Sequence, residues 1–189
     1  MSLVTIQGNA SGTGTLTVAA PNTNSNYTLT LPAATGTLIS TASTFAGTGP
    51  AFFVRLGTGQ TITLATETKI QLNTEEFDTN SNFDTSTYRF TPTVAGYYQI
   101  SAGLRATGAT TNTSSGIIIY KNGSSYVANY SQATNITQYP TISSLIYMNG
   151  STDYIEFYGT VTGSGTASFG TSAAGAYATW ASGCLVRSA

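Results

Sequence analysis

The chain has 189 residues, enough for one ordinary domain and an appendage. Only 7% of its residues are charged, against about 25% in a typical soluble domain, and the net charge of −1 supplies no electrostatic footprint for nucleic acid or anionic lipid. Histidine is absent and Cys184 is the one cysteine, which excludes His-dependent triads, imidazole zinc sites, internal disulfides and CxxC motifs, so the expected protein is not an enzyme.

Thr (36 residues) and Ser (21) supply the polar surface, and Arg55 is the first charged side chain. Residues 1–12 lack the basic start and apolar core of a secretory signal, and no apolar run approaches the ~18 residues of a membrane span. Neither a leader nor membrane insertion is therefore expected. Helical periodicity is missing throughout, whereas Thr, Val, Ile, Tyr and Phe alternate with polar residues between Gly, Asn and Ser clusters.

In chain order, residues 14–20 and 26–31 read as strands, with Leu16 and Val18 on one face of the first and Leu29 and Leu31 on one face of the second. The intervening PNTNS has turn chemistry, and residues 34–40 begin a weaker third strand. A Ser/Thr/Gly linker closes on Pro50, placing a boundary near residue 50. The alternation of Leu and Val argues against a disordered tail for residues 1–50. Beyond the boundary, strands are predicted at 51–56, 61–65, 68–73, 96–106, 116–123, 125–131, 141–150, 153–161, 166–170 and 177–186. Asn122-Gly123 and Asn149-Gly150 are the sharpest hairpin signals, because type I′ turns need positive φ at both central positions. Many short strands with such turns predict an all-β antiparallel sandwich or barrel.

Six basic residues and five prolines are too few to guard so many strand edges against other chains. A few short strands in residues 1–50 cannot bury a core alone. Covering these edges with copies of the same chain is the economical solution, so a homo-oligomer is expected.

AFFVRL (51–56), Phe83, Asp84, Thr87, Phe90, Pro92, Gly96 and Tyr98 within 83–100, IYKNG (119–123), NGSTDYIEF (149–157) and SGCLV (182–186) occur in that order. These fragments resemble the C1q/TNF-like jelly roll over nearly all of residues 51–189. Two positions depart from that pattern. Tyr88 stands where the family usually has Gly, which implies a different turn, and Cys184 replaces an aromatic, which implies a smaller or differently filled core layer. Residues 10–38 resemble a segment of structural fibre proteins of tailed bacteriophages. Together the resemblances imply a bacteriophage virion protein: residues 1–50 as an attachment or stem segment docking on another virion protein, and residues 51–189 as a jelly-roll head. They also imply a homotrimer. A short fibre whose head contacts the host is one role they imply, and a capsid decoration protein that binds the major capsid shell is the other.

Strand alternation puts Tyr98, Ile100, Ala102 and Leu104 on one face, and Tyr97, Gln99, Ser101 and Gly103 on the other. Likewise Ile155 and Phe157 oppose Tyr154, Glu156 and Tyr158. The resemblance then makes Tyr97, Gln99, Tyr154, Glu156 and Tyr158 candidates for the subunit interface, with core or plain exposure as the competing readings. Asp78, Asn80, Asn82 and Asp84 alternate like the start of an EF-hand calcium loop, but Phe83 replaces its glycine and Arg89 its bidentate Glu. Calcium and a simple capped loop are both open there, and no other cofactor is indicated. Glu75 and Glu76, as neighbours on a strand, point apart and cannot work as a carboxylate pair. Seven Asn-x-Ser/Thr sequons, at Asn9, Asn26, Asn112, Asn122, Asn129, Asn135 and Asn149, are close to the chance level for this composition. Tyr126, Tyr130 and Tyr139, flanked by Asn and Gln near loops, could stack on host glycans or be ordinary exposed tyrosines. Cys184 reads as a small buried apolar residue.

Overall fold

In the computed structural model, the described residues are 49–108, 111–132, 137–173 and 175–189, together with 11–15, 17, 22–26 and 28. The chain divides into two compact units, Met1–Leu38 and Ile39–Ala189. In the first, residues 22, 24 and 25 bend, and the Ser25 N–H donates to Thr23 Oγ1 at 3.1 Å, in keeping with the PNTNS turn. The strands expected there, with Leu16, Val18, Leu29 and Leu31, lie outside the described residues, as do Asn9 and Asn135.

The second unit is built by the predicted alternation. A five-stranded sheet runs in the order β12 (Thr141–Met148), β7 (Gly96–Gly103), β17 (Trp180–Ser188), β1 (Ala51–Arg55), β4 (Thr74–Asp78). A second sheet runs β10 (Ser124–Gln132), β9 (Thr111–Lys121), β13 (Ile155–Ser164), β6 (Arg89–Phe90), β5 (Phe83–Asp84), with β3 (Thr68–Lys69) also on β13. A smaller sheet joins β11 (Thr137–Gln138), β8 (Arg105–Gly108), β14 (Ala167–Gly170) and β2 (Gln60–Ile62), and β15 (Ser172–Ala173) pairs with β16 (Ala176–Tyr177). Pairing is antiparallel throughout these sheets, and no helix occurs among the described residues.

The core lies between the sheets. Phe52 and Val54 on β1, Tyr98, Ile100 and Ala102 on β7, and Ile142, Ile146 and Met148 on β12 meet Ile117 and Ile119 on β9 and Ile155, Phe157 and Val161 on β13. Each large side chain so buried contributes roughly 1.5–3 kcal/mol. Phe52, Phe90 and Tyr98 form a run of rings, with centroids 4.3 and 5.6 Å apart, and the Tyr98 hydroxyl donates to the Val94 carbonyl at 2.7 Å. Burial pushes the Tyr98 phenol up to about 12. Gly183 is required here, since a Cβ would lie 2.6 Å from Phe52 and Ile100.

Several elements differ from expectation. The single strand expected at 96–106 breaks at Leu104, because β7 and β8 belong to different sheets and the Leu104 N–H turns to the Pro140 carbonyl at 3.0 Å. The strand at 61–65 ends early in a turn at Ala65, whose φ is 54°. Only Thr68–Lys69 is strand within 68–73; beyond it Ile70 and Leu72 are buried, and the Ile70 N–H still donates to the Phe157 carbonyl of β13 at 2.8 Å. The acid-rich segment 74–78 is the edge strand β4, where Glu75 and Glu76 oppose edge-to-edge pairing. Asn122 and Gly123 have φ of 53° and 79°, as the type I′ hairpin demands. Asn149-Gly150 is no such turn: Asn149 Oδ1 instead accepts the N–H groups of Ser151, Thr152 and Asp153 at 2.9–3.0 Å. Tyr88 adopts φ 58°, the left-handed backbone that glycine enters without steric cost.

Candidate interaction surfaces

Alternation leaves each sheet with a face turned away from the core, and the two faces differ in chemistry. On the five-stranded sheet the outward positions include Tyr97, Leu145, Tyr147 and Val186 at one end and Phe77 at the other, where Tyr177 of β16 lies beside Phe53, and these six side chains have exposures between 41% and 61%. Tyr97 and Tyr147 face each other across β7 and β12, with ring centroids 5.5 Å apart. Phe53 stacks on Trp180 at 5.9 Å and on Phe77 at 6.4 Å. Between the two aromatic groups Gln99 Nε2 donates to Ser143 Oγ at 2.7 Å, and the Ser143 and Ser101 hydroxyls are 2.8 Å apart. Tyr97, Leu145, Val186, Arg187, Ser188 and Ala189 line a hollow of about 510 Å³. Charge on this sheet includes Arg187 at the hollow and, on the β1–β4 side, Arg55, which pairs with Glu76 and lies 4.4 Å over the Tyr177 ring. The hydrogen bond from Arg55 holds the Glu76 carboxyl below its ordinary range.

Cys184 belongs to this outer face, opposite Gln99, and is an exposed free thiol. The reading of a buried core cysteine is thus corrected: in the pleat of β17 it is Gly183 that points inward.

The outer face of the β9–β13 sheet is built from charges and rings that hold one another. Glu156, 2% exposed, accepts on Oε1 from Lys69 Nζ at 2.6 Å, Arg89 Nη2 at 2.8 Å and Arg89 Nε at 3.1 Å. Burial alone would raise its carboxyl, but the hydrogen bonds and charges of Lys69 and Arg89 outweigh it and hold the group below the usual range. Arg89 lies 3.8 Å over the Tyr154 ring, and Tyr120 and Tyr158 stack at 3.9 Å. The Tyr120 and Tyr130 hydroxyls donate to the two oxygens of Glu67. That bond pushes the Tyr120 phenol up to about 12, while burial and then Glu67 raise Tyr130.

The five residues expected at one subunit interface are therefore divided. Tyr97 and Gln99 lie on the five-stranded sheet; Tyr154, Glu156 and Tyr158 belong to the other. Glu156 is a buried anion between two cations, Lys69 and Arg89. The sequence reading missed Leu145, Tyr147, Val186, Phe77 and Tyr177, although alternation from Tyr97 and from the inward Ile146 would have found the first two.

In the acidic loop the side-chain oxygens serve local backbone. Asp78 accepts from the Asn80 and Phe83 N–H groups at 3.2 and 2.6 Å, and Asn82 Oδ1 accepts from the Thr93 N–H at 3.3 Å. Asp84 Oδ1 accepts from the Ser86 hydroxyl at 2.6 Å and its N–H at 2.8 Å, and Oδ2 from the Thr87 hydroxyl at 2.8 Å, holding its carboxyl down at about 2. These bonds among Asp78, Asn80, Asn82 and Asp84 are those of a capped loop, one of the two readings the sequence left open. Among the described residues no three Cys, Asp or Glu side chains gather as a metal-binding group. Tyr126, Tyr130 and Tyr139 are 51–53% exposed, but Tyr126 and Tyr130 sit on β10 rather than in loops, Tyr126 at a bulge.

No protein-family model and no curated protein matches the sequence. Solved structures do match in fold. The globular domain of zebrafish complement 1qA protein is 14% identical, with a TM-score of 0.55 over 75% of this chain and 99% of that one. Murine APRIL matches at 8% identity and a TM-score of 0.56, covering 73% of this chain and 99% of its own. Eiger TNF from S. frugiperda matches at 7% identity and 0.54, covering 75% and 94%. The fold is the C1q/TNF-like jelly roll. In this jelly roll the sheet that carries both termini of the described head, through β1 and β17, is also the one whose outer face is bare.

Proposed function

We propose that this protein is a non-enzymatic, homotrimeric surface protein of a bacteriophage virion, a short fibre whose jelly-roll head projects from the particle and contacts the host. The observation that carries self-association is the bare apolar face of the five-stranded sheet: contiguous exposed rings and aliphatic side chains of this kind belong to an interface. Three copies of the chain packed through this face would cover Tyr97, Leu145, Tyr147 and Val186 three times over. The phage setting rests on the resemblance of residues 10–38 to fibre segments, and residues 1–50 are assigned to docking on another virion protein. The absence of histidine and the lack of a converging carboxylate pair in Glu75 and Glu76 support a role without catalysis.

Sedimentation equilibrium of the full chain should give three times 19.5 kDa, and Cys184 should react with a maleimide only after the assembly is denatured. A monomer with a reactive thiol at micromolar concentration overturns the reading. Cryo-EM of particles carrying the protein tests the setting. Heads on icosahedral threefold positions would make it a capsid decoration protein instead of a fibre.

A further inference from the structure

On the outer face of the β9–β13 sheet, Tyr130 lies across Gly116, its cross-strand partner, so closely that a Cβ there would be 2.5 Å from the ring. The ring therefore lies down on the sheet and keeps the rest of its surface in solvent, at 51% exposure. Ile118 on the same face is fully buried although it points away from the core, between Ala128 and Tyr158. This ring and its neighbours thus form a layer over the sheet. At the hydroxyl end of Tyr130 stands Glu67, exposed, with one tyrosine hydroxyl on each oxygen: Tyr130 on Oε1 at 3.3 Å and Tyr120 on Oε2. A carboxylate has about four lone-pair sites, so each oxygen keeps room for a further donor. The turn that delivers Glu67 carries Ala65 at φ 54°, a conformation that costs a non-glycine residue energy, and is tied to β13 by the Ala65 N–H on the Val161 carbonyl at 2.8 Å.

We infer that Tyr130, Gly116 and Glu67 form a binding site for a neutral pyranoside, the sugar's C–H face stacking on the Tyr130 ring and its edge hydroxyls donating to Glu67. The ligand class follows from the chemistry. A flat half-exposed ring takes a flat apolar face, and an acceptor-only carboxylate at its edge takes hydroxyl donors. Glu67 repels phosphate, sulfate and carboxylate groups, which disfavours nucleotides and acidic sugars. The inference rests on the host-contact reading above and gives it a ligand class, but it uses a different sheet from the face assigned to assembly.

The test is the full chain against an array of neutral oligosaccharides ending in glucose, galactose, mannose or N-acetylglucosamine, with sialylated and sulfated glycans alongside, followed by saturation-transfer NMR on the ligand found. Wild-type protein should bind a neutral glycan. Tyr130→Ala should weaken binding about tenfold or more and Glu67→Gln about tenfold, while Tyr130→Phe, which keeps the ring, stays within about threefold of wild type. No neutral ligand for the wild type, binding of acidic glycans only, or an unchanged affinity in Tyr130→Ala overturns the site. Sedimentation of the same samples separates the two readings: a well-formed trimer without glycan binding sinks this inference alone, and a glycan-binding monomer sinks the assembly alone.

Discussion

Both outer faces of the sandwich carry tyrosine, and they use it in opposite ways. On the β9–β13 face four rings have a charged or stacked partner within the chain: Tyr154 under Arg89, Tyr158 on Tyr120, and Tyr120 and Tyr130 on Glu67. On the five-stranded face Tyr97 and Tyr147 touch each other, while Leu145 and Val186 beside them are more than half exposed. Lys69, Arg89, Glu67 and Glu156 bind one another and the rings on one side, whereas on the other Arg187 is the charged residue at the hollow lined by Tyr97, Leu145 and Val186. Where the few charges fall, rather than where the aromatics fall, separates a finished surface from an unfinished one.

The contrast can be broken most forcefully on the bare face. Leu145→Asp should abolish assembly, since each copy loses about 1.5–3 kcal/mol of burial at the contact and gains a charge there. The fold itself should change by no more than about 0.5 kcal/mol, as expected for an exposed site. Sedimentation and urea unfolding of the variant measure the two separately. On the finished face Glu156→Ala should cost about 3 kcal/mol of fold stability, because Lys69 and Arg89 keep their charges without the carboxylate that binds both. Urea denaturation in the Leu145→Asp background reads this without interference from assembly.

A gain is expected at Tyr88, in the turn that leads into β6. Tyr88→Gly relieves a left-handed backbone and should add about 1 kcal/mol, measured as a higher denaturation midpoint with unchanged mass. The smallest effect is a pH dependence. The carboxyls of Asp84, Asp153 and Glu156 are all held below their ordinary values, and all serve the β9–β13 side. A folded-state value below the unfolded one means that the stabilisation is complete above the unfolded pKa and is lost as pH falls through the folded one. For Asp84 that window runs from 3.8 down to about 2. Melting temperature should therefore drop between about pH 4 and pH 2, and Asp84→Asn should lower stability at pH 7 while making that drop shallower.

Much of the sandwich could be read from local pattern. The alternation through Tyr98, Ile100 and Ala102, and through Ile155 and Phe157, correctly separates inward from outward positions because a pleated strand has period two whatever it pairs with. The capped loop was half legible, since Asp and Asn bond their own neighbouring N–H groups. The ion cluster was not. Glu156 reaches Lys69 across 87 positions and Arg89 across 67, and outward alternation gives no sign that an outward carboxylate will be buried by such partners. Cys184 was misassigned because the resemblance to a closing aromatic strand outweighed the one-residue register that turns Gly183 inward.

By itself the sequence determined the class of the protein: β-branched and aromatic alternation without helical period, the Asn122-Gly123 hairpin, and a charge content of only 7%. The alternation and the hairpin are properties of neighbouring residues, and short-range sterics and solvation suffice for them. Only the tertiary structure decided which strands share a sheet, and hence that Tyr97 and Tyr154 face opposite ways from the core. Sheet order is set by contacts between segments tens of residues apart, and those contacts also determine which outward face receives the scarce charges.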